Sequence, residues 1–576
     1  MIRFLIILFA FISVPPSDTT VQQANPLYPQ DYFRSPVDHA IKLSGTFGEL
    51  RPNHFHAGID IKSKTGKIGQ KIYAVADGTV SRINIKSSGY GNALYINHPN
   101  GYTSVYAHLQ KFPKDITNYM ITQQYLDQNS ETEHYPPVGK FMIKKGDIIG
   151  TLGLSGRSYG PHLHFEIRDT KTEIPINPLL FGLTVEDEVR PDLRAVKLYG
   201  LDANMNELTS SQYTLRKSGS KFKPNKDTIK INASQVGLAL KAYDQMNGTS
   251  NLNGIYAMKM FVDDSLHFSF TMDKISFDET RFINAHLDYQ EQVVNKSYYN
   301  RCFRMPGNKL SIYKSNNYNG VVDISAEQAR EVSYQVTDLN GNQSECLFWI
   351  KKATKNSTED RKAYQYLLYY DKENQIDRED IKIFFPNNAL YRNLELQFLS
   401  SYDDSFNIFS RVFHVHDHLT PLHKYFDIAI KPDKDLLAQR EKAFIGYCRK
   451  DQKYVNNGGQ WDGDFLKTKA SMLGNFCIMT DTIPPSIVPI QFNKNLKGYN
   501  SISFKITDNF ETNKGVSGLV YNAYIDDQWI LMKYNGKKET ITYQFDEKLS
   551  KGKHRFKLIV EDALNNTTEF VRDIIL

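Results

Sequence analysis

The sequence predicts a mainly β protein in which a small antiparallel β-sheet domain is followed by several β-sandwich modules. Among the 576 residues are 35 tyrosines and 34 phenylalanines, which favour strands, and 34 glycines, which favour turns. Short strand-like runs alternate with turn residues along much of the chain. Hydrophobic residues make up 40% and charged residues 23% of the total, which is typical of a globular chain.

The first 185 residues contain the clearest strand and turn signals. Ala93–Asn97 and Tyr102–Tyr106 flank Pro99-Asn100-Gly101, and this arrangement predicts a β-hairpin. The polar stretch 112–138, which ends at Pro136-Pro137, instead predicts a partly helical insertion between strands.

An internal repeat predicts two related β-sandwich modules in the rest of the chain. Asp244 and Asp508 are each followed ten residues later by a glycine, and each segment later ends in the pattern Val-x-Asp-x-x-x-Asn. That pattern begins at Val336 and at Val560, in both cases after a strand-like run. Coincidence among common turn residues is the alternative. We predict a signal peptide (1–20), the small β-sheet domain (25–185), a β-sandwich segment (186–352), a β module (355–480) and a C-terminal β-sandwich (482–576).

Charge and the N-terminal residues limit the classes of function. The net charge of +6 is small for this length, and no basic block is long enough to indicate nucleic-acid binding. Met1–Arg3 followed by the apolar run Phe4–Val14 is typical of a secretory signal peptide, with a buried N-terminal strand or helix as the alternative. We expect no transmembrane span in the mature chain, because no later run reaches ~18 apolar residues. We therefore expect secretion across the inner membrane, into the periplasm or cell envelope.

The four cysteines contain no CxxC motif, so the sequence does not support a thiolate zinc site. In an oxidising compartment, Cys302 could pair with Cys346 and Cys448 with Cys477, which is one of three connectivities.

Aspartates recur in the turns of the repeated segments, where they could bind calcium. Hairpin turns use the same residues without a metal, and plain turns are the interpretation we favour. The aspartates concerned are Asp263-Asp264, Asp526-Asp527, Asp338 and Asp562.

Histidines are concentrated in the first third of the chain, where they point to a functional site. Eight of the 15 lie at or before position 164, and histidine is the commonest metal ligand. In a strand, His162, His164 and Glu166 would share one face, while the apolar residues between them would pack into a core. His56 and Asp60 lie four residues apart, as on a helix face, but the glycine and isoleucines around them favour extended chain.

Together these side chains make up the donor set of a catalytic zinc site. Such a zinc commonly has three protein ligands plus water, and imidazole and carboxylate groups are ordinary ligands. His56, Asp60 and one histidine of the HxH pair would supply those three. The other histidine of the pair and His108 would remain for proton transfer and charge stabilisation.

The same motifs, in the same order, resemble the M23 family of lysostaphin- and LytM-type zinc metallopeptidases. The resemblance covers residues ~40–172, less than a third of the chain. It implies one zinc ion per chain, with His56, Asp60 and His164 as ligands and with His108 and His162 as catalytic histidines. The motifs are His56-x-x-x-Asp60, Tyr106-Ala-His108-Leu, and Gly153-Leu-Ser-Gly156 followed by Gly160-Pro-His162-Leu-His164-Phe-Glu.

The resemblance further implies an exported zinc-dependent endopeptidase that hydrolyses peptide crosslinks of peptidoglycan, with a zinc-bound water as the nucleophile. The implied fold is a small antiparallel sheet with a groove flanked by loops, and the insertion at 112–138 departs from compact family members. Peptidoglycan peptides would be the substrate, and an envelope protein could bind the C-terminal modules, which we expect to be immunoglobulin-like. Two alternatives are a non-catalytic scaffold or activator of another cell-wall hydrolase, and a peptidase for proteins.

Overall fold

The structure, a computed structural model, describes residues 27–353, 363–405, 407–545 and 549–576. It is mainly β, as predicted, and its strands pack around three large hydrophobic cores. The first core extends from Phe33 to Tyr391, the second from Leu368 to Ile478 and the third from Leu496 to Ile574. The expected signal peptide at 1–20 lies outside the described residues. Within the described ranges, no helix combines the length and apolar character needed to cross a membrane.

A nine-stranded antiparallel sheet forms the N-terminal part of the fold and carries the predicted site. The predicted hairpin is confirmed, because Ala93–Asn97 pairs with Tyr102–Ala107. The main strands in spatial order are Leu43–Gly45, Ile59–Lys62, His162–Asp169, Tyr102–Ala107, Ala93–Asn97, Gly78–Ile85 and Thr132–His134, with Met142–Ile143 and Pro175–Ile176 paired at its sides. A three-stranded sheet (Lys71–Tyr73, Ile148–Leu152, Leu109–Lys111) and a two-stranded ribbon (Leu50–Arg51, His54–Phe55) accompany it.

The predicted insertion contains one helix, α1 (Lys114–Asp127). Proline precedes the first helical residue, and Gln128 ends the helix in a left-handed conformation with φ 47°. Ile116, Met120 and Gln124 are the buried residues, and their spacing of four places them on one face of the helix.

A twelve-stranded sheet follows the N-terminal domain. The turn predicted at Asp338 is confirmed, since this residue follows a strand that ends at Thr337. Helices α2 (Ile283–His286) and α3 (Tyr289–Asn295) lie in this region, with short 3-10 turns at Pro178–Phe181, Thr280–Phe282 and Asn317–Gly320. The strands in spatial order are Asn300–Arg301, Gln235–Tyr243, Asp192–Leu201, Glu207–Ser218, Lys221–Pro224, Gln343–Lys352, Arg330–Thr337, Ala257–Val262, Ser265–Thr271 and Tyr313–Asn316, with Thr228–Ile231 and Val322–Asp323 beside them.

The next region contains two five-stranded sheets around the second core. One sheet has the order Asn374–Asp377, Ile381–Phe385, Phe426–Ile430, Phe465–Ala470 and Gln460–Asp462. The other has the order Phe398–Ser401, Val412–Val415, Gly474–Thr480, Ala443–Cys448 and Tyr454–Asn456. A ribbon (Tyr366–Leu368, Leu394–Leu396) and a 3-10 turn (Leu437–Lys442) complete the region.

Two four-stranded sheets enclose the third core at the C-terminal end of the chain. The turn predicted at Asp562 is confirmed, because this residue follows a strand that ends at Glu561. One sheet has the order Ser486–Gln491, Ser501–Thr507, Thr540–Gln544 and Lys533–Asn535, and the other Gln528–Trp529, Val520–Ile525, Lys553–Glu561 and Thr567–Ile575.

The suggested disulfide pairs are wrong, because all four cysteines are free thiols. Cys448 and Cys477 lie on neighbouring strands, but Cys477 is opposite Gly446, so the two thiols are offset by two residues in the register. Cys302 is fully buried, and its Sγ contacts the Met258 sulfur at 3.9 Å.

Gly58 gives a test of how closely the chain must approach the central strand of the N-terminal sheet. A Cβ atom on Gly58 would lie 2.4 Å from the backbone oxygen of Phe165. We expect Gly58→Ala to destabilise the sheet by about 1–3 kcal/mol, because that backbone cannot move without breaking strand pairing. Hydrogen exchange should show faster exchange in Ile59–Lys62 and His162–Asp169. The control is Gly536→Ala, whose Cβ would meet its nearest neighbour at an ordinary 3.6 Å, and equal protection in both variants would contradict the prediction.

Candidate active site

Strand register brings the predicted residues together at one face of the N-terminal sheet. Asp60 lies directly opposite His164, and on its other side His164 lies opposite Ala107, the residue before His108. Residues opposite each other in an antiparallel pair present their side chains on the same face. His162 shares this face with His164 because the two are separated by one residue. The extended chain predicted at His56 to Asp60 is confirmed, with the strand Ile59–Lys62 at its end.

Three side chains converge within hydrogen-bonding distance. His56 Nε2 lies 3.0 Å from Asp60 Oδ1, and His164 Nδ1 lies 2.9 Å from the same oxygen. The two imidazole nitrogens are 2.9 Å apart. All three residues are buried, with exposures of 2%, 6% and 4% in chain order. The structure thus groups His56, Asp60 and His164 as the donor set that the sequence predicts for a metal.

Hydrogen bonds on the outer side of each imidazole fix its orientation. His56 Nδ1 donates to the backbone oxygen of Thr46 at 2.7 Å. His164 Nε2 donates to Glu166 Oε1 at 2.8 Å. These bonds direct His56 Nε2 and His164 Nδ1 towards Asp60, in the manner by which metal-binding histidines are usually held. Glu166 is fully buried and therefore acts through His164 rather than on a substrate.

The electrostatic surroundings of this group favour positive charge between the side chains. Burial alone would raise the pKa of Asp60, but His56, the hydrogen bond from His164 and nearby Arg51 hold it well below its usual range. Burial also opposes protonation of His164, yet its hydrogen bonds to Asp60 and Glu166 raise the pKa of His164 to about 9. A metal ion at this point would have to displace that proton. Two imidazoles and a carboxylate aimed at one point fit zinc.

The two predicted catalytic histidines lie beside this group. His108 Nδ1 donates to the Ser155 carbonyl and His162 Nδ1 to the Gly160 carbonyl, both at 2.8 Å. Each bond leaves Nε2 as the proton acceptor, and His162 Nε2 lies 3.6 Å from Asp60 Oδ1. The two rings are 4.8 Å apart. Burial lowers the pKa of His162, and it lowers that of His108 to about 3, so both are neutral at neutral pH.

His108 has a backbone conformation that is uncommon for a residue other than glycine. Its φ is 60°, and its amide donates to the Tyr90 carbonyl at 2.9 Å. Such conformations persist where the surrounding structure determines them, and they are concentrated at functional sites. The turn lets the strand end at Ala107 while the His108 ring reaches His162.

Sequence reasoning missed three residues that support the site. Arg51 Nη2 lies 2.6 Å from Asp60 Oδ2, Arg168 Nε lies 2.6 Å from Glu166 Oε2, and the Tyr90 hydroxyl donates to Glu166 Oε1 at 2.5 Å. The alternation that relates His162, His164 and Glu166 continues to Arg168, so this residue could have been found. Arg51 comes from the two-stranded ribbon and Tyr90 from a turn, and no local pattern marks either of them.

The remaining early histidines lie outside the site. His54 is exposed and bonds to the Pro52 carbonyl, and His134 lies 2.9 Å from Asp127. His98 lies in the loop after strand Ala93–Asn97, where its side chain is buried and bonds to the Asp77 carbonyl and the Ser104 hydroxyl.

The C-terminal β-sandwich reaches the rim of the site. Lys537 Nζ donates to the backbone oxygen of Ser158. The side-chain hydroxyl of the same serine lies 3.3 Å from His162 Nδ1. Trp529 packs edge-on against Tyr125 of helix α1, with ring centroids 5.5 Å apart. The last module therefore contacts both the loop before His162 and the insertion.

Two parts of the chain match protein families. Residues 54–127 match the family described as Peptidase family M23, and residues 365–481 match a family described as a Zu5-like domain. The first match includes His56, Asp60 and His108, and it confirms the resemblance of this segment to the M23 peptidases.

Curated relatives align with the same region. The DD-carboxypeptidase/endopeptidase Mpg of Neisseria meningitidis is 31% identical over 159 residues, which are 27% of this chain and 30% of that protein. The peptidoglycan DD-endopeptidase ShyC of Vibrio cholerae is 31% identical over 141 residues, 23% of this chain and 26% of that protein. The murein hydrolase activator NlpD of Escherichia coli is 32% identical over 140 residues, 24% of this chain and 29% of that protein. The chain thus spans less than a third of the length of each relative.

The ion pair of Arg51 with Asp60 predicts a measurable effect on metal affinity. Arg51 holds Oδ2 and so turns Oδ1 towards the histidines. We expect Arg51→Met to weaken zinc binding about 10–100-fold, the usual effect of losing a group that orients a metal ligand. Competition with a chromogenic chelator measures this affinity. Arg82→Met is the matched control, because Arg82 is equally half-buried and pairs with Glu133 at 2.7 Å elsewhere on the sheet. Unchanged affinity in Arg51→Met would contradict the assignment.

Proposed function

We propose that the chain is an exported zinc metalloendopeptidase that hydrolyses peptide crosslinks of peptidoglycan in the periplasm or cell envelope. The observation that carries this proposal is the convergence of His56, Asp60 and His164 within 3.0 Å of one another, beside two further histidines. The relatives named as endopeptidases of peptidoglycan support the choice of substrate. In this proposal His56, Asp60 and His164 hold one zinc ion per chain.

When bound, zinc would polarise the scissile carbonyl and lower the pKa of a water molecule towards ~7. In this proposal His108 and His162 transfer the proton of the attacking water. Both are neutral at neutral pH and present Nε2 as an acceptor, so either can take a proton from the attacking water as a general base. Once protonated, the same nitrogen becomes a donor that can stabilise the developing oxyanion or deliver the proton to the leaving amine. The neighbouring carbonyls of Ser155 and Gly160 keep the rings oriented throughout.

The modules after the N-terminal domain have a positioning role in this proposal. The C-terminal β-sandwich contacts the loop before His162 through Lys537, and it contacts the insertion through Trp529. It therefore bounds the approach to the site and limits which crosslinked peptides can enter. The same modules offer surface for an envelope protein partner.

A second candidate function is activation of a separate cell-wall hydrolase. The similarity to the murein hydrolase activator NlpD favours it. The two functions make opposite demands on the site, because an activator needs no metal ligands, whereas a peptidase needs all three and a base.

Metal analysis of single variants tests the ligand assignment. We expect His56→Ala and Asp60→Ala to lose zinc, because each removes a ligand, and His162→Ala to retain one zinc per chain. Elemental analysis of the purified mature chain measures the stoichiometry. His54→Ala is the matched control, since this exposed histidine lies two residues before His56. Full zinc content in His56→Ala would show that the ion is bound elsewhere.

Digestion of crosslinked muropeptides tests the reaction itself. We expect the wild-type chain to cleave them, a chelator to abolish cleavage, and His162→Ala to lower turnover by about 10²–10⁴-fold, as loss of a general base does. Mass spectrometry of the products identifies the bond. Undiminished turnover in His162→Ala would overturn its role. If the wild-type chain hydrolyses nothing but stimulates another hydrolase, the activator proposal replaces this one.

A further inference from the structure

Two groups of three aspartates lie outside the candidate active site, and each includes aspartates from one of the two repeated segments. In each group, carboxylate oxygens from all three residues lie within 4.8 Å of one another. The first group consists of Asp187, Asp244 and Asp338, and the second of Asp481, Asp508 and Asp562. Asp244 and Asp508 open the sequence repeat, whereas Asp338 and Asp562 end it.

Hydrogen bonds show that the first group is built from three separate chain segments. Asn342 Nδ2 donates to Asp338 Oδ2 at 2.8 Å and to the backbone oxygen of Asp187 at 3.0 Å. The Val189 amide donates to Asp187 Oδ1 at 2.9 Å. These contacts fix two of the carboxylates. The third belongs to Asp244, the residue that directly follows the strand Gln235–Tyr243.

The second group repeats this arrangement with a different sequence around it. Asn566 Nδ2 donates to Asp562 Oδ2 at 2.7 Å and to the backbone oxygen of Asp481 at 3.0 Å. The Ile483 amide donates to Asp481 Oδ1 at 3.0 Å. One arrangement therefore occurs twice in the chain: three carboxylates, an asparagine that donates to two of the three residues, and a backbone amide that donates to one carboxylate. Chance clusters of acidic side chains would not share these hydrogen bonds.

The first group is an unfavourable arrangement of negative charge. Asp187, Asp244 and Asp338 are 8%, 3% and 5% exposed. Burial, together with the charges of Asp187 and Asp338, raises the pKa of Asp244 to about 8. In the second group, burial and the charges of Asp481 and Asp562 likewise raise the pKa of Asp508 to about 6. Buried carboxylates are normally paired with a cation or bound to a metal.

Unsatisfied oxygens point to what is bound in these groups. Within the described chain, Asp244 Oδ1 is buried and has no hydrogen-bond donor, and the same holds for Asp508 Oδ1. Asn253, which is fully buried, also has no partner for Oδ1 or Nδ2. Its backbone exchanges hydrogen bonds of 3.0 and 2.8 Å with Asp244, so the two side chains lie on the same face of the ladder. An acceptor left without a donor in a buried site destabilises the fold, and a bound cation would remove that cost.

The size and chemistry of the first group select the ligand. Its carboxylates line a cavity of about 20 Å³, which has room for one water-sized species. The three side-chain donors are carboxylate oxygens, which are preferred by hard cations and in particular by calcium, whose ligands are oxygen atoms. Zinc prefers imidazole and thiolate groups, and neither is part of the two groups.

We propose that Asp187, Asp244 and Asp338 bind one calcium ion and that Asp481, Asp508 and Asp562 bind a second. The sequence predicts plain, metal-free turns at Asp338 and Asp562. Both residues do follow strands, but their side chains are buried. The exposed turns Asp263-Asp264 and Asp526-Asp527 have no part in either group.

Both sites lie where one part of the chain meets the next. The first cavity is also lined by Thr46 of the N-terminal domain. The Thr46 hydroxyl donates to the Gly254 carbonyl and accepts from the Gly254 amide, and the Thr46 carbonyl accepts from His56 Nδ1. At the second site, the neighbouring Lys442 Nζ donates to the Leu564 carbonyl at 2.8 Å. Bound calcium would thus hold the N-terminal domain to the twelve-stranded sheet and the Zu5-like region to the C-terminal β-sandwich.

Calorimetric titration of the full mature chain with calcium chloride, after removal of metals, tests this proposal. We expect two calcium ions per wild-type chain, one for Asp244→Asn, one for Asp508→Asn and none for the double variant. Asp264→Asn and Asp527→Asn are matched controls from exposed turns of the same modules, and each should still bind two. No saturable binding to the wild-type chain, binding of magnesium in place of calcium, or two ions in the double variant would overturn the proposal.

Thermal unfolding distinguishes loss of a site from loss of folding. Because a cation that binds only the folded chain stabilises it, calcium should raise the melting temperature of the wild-type chain. In chelator, Asp244→Asn and Asp508→Asn should melt close to the wild-type temperature, because the amide keeps the shape of the carboxyl group and adds no charge to the group. Added calcium should leave the melting temperature of the double variant unchanged. An equal calcium shift in the wild-type chain and the double variant would overturn the proposal. Neither the calcium stoichiometry nor the melting temperature depends on whether the candidate active site hydrolyses peptidoglycan peptides.

Discussion

The pairing of Asp60 with His164 across two neighbouring strands is the constraint on which the rest of the site depends. It places a carboxylate and an imidazole on one face of the sheet, 2.9 Å apart. A slip of one residue in this register would turn one of them to the opposite face. Leu163, Phe165 and Ile167 prevent the slip, because all three are fully buried on the core side of the strand. The hydrophobic core therefore sets the geometry of the polar site.

Around that pair, each further component comes from a different segment of the chain. His56 reaches it because the glycine at position 58 lets the backbone pass close to the central strand. His108 reaches it through a left-handed turn at the end of its strand. The outer hydrogen-bond partners, Thr46 and Glu166, then leave the inner nitrogens free to bind a metal. This division between an orienting outer layer and a binding inner layer explains why the site contains several buried polar groups.

The strands, the helical insertion and five of the site residues could be predicted from the sequence, because their signals are local. Alternation along His162 to Glu166 has the period of a strand, and a proline-asparagine-glycine turn marks its own hairpin. Arg51 and Tyr90 could not be predicted, since only the tertiary fold brings them to Asp60 and Glu166. The cysteine pairing failed for a related reason, because nearness along the chain does not set strand register.

The aspartates of the repeats show the same limit. Asp338 and Asp562 were correctly predicted to lie in turns after strands, but a turn signal does not show whether the turn is exposed. Packing of one module against its neighbour buries them together with aspartates from distant segments. The chain thus groups its buried polar side chains in two kinds of place. Histidines and a carboxylate form the candidate active site on the N-terminal sheet, and two groups of carboxylates lie where modules meet.

The central claim, that strand register builds a zinc site from His56, Asp60 and His164, is tested most directly by anomalous diffraction at the zinc absorption edge from crystals of the zinc-loaded chain. We expect one strong peak in contact with His56 Nε2, Asp60 Oδ1 and His164 Nδ1, with no cysteine sulfur among the ligands. A zinc peak bound by other residues, with these three side chains still bonded only to one another, would contradict it.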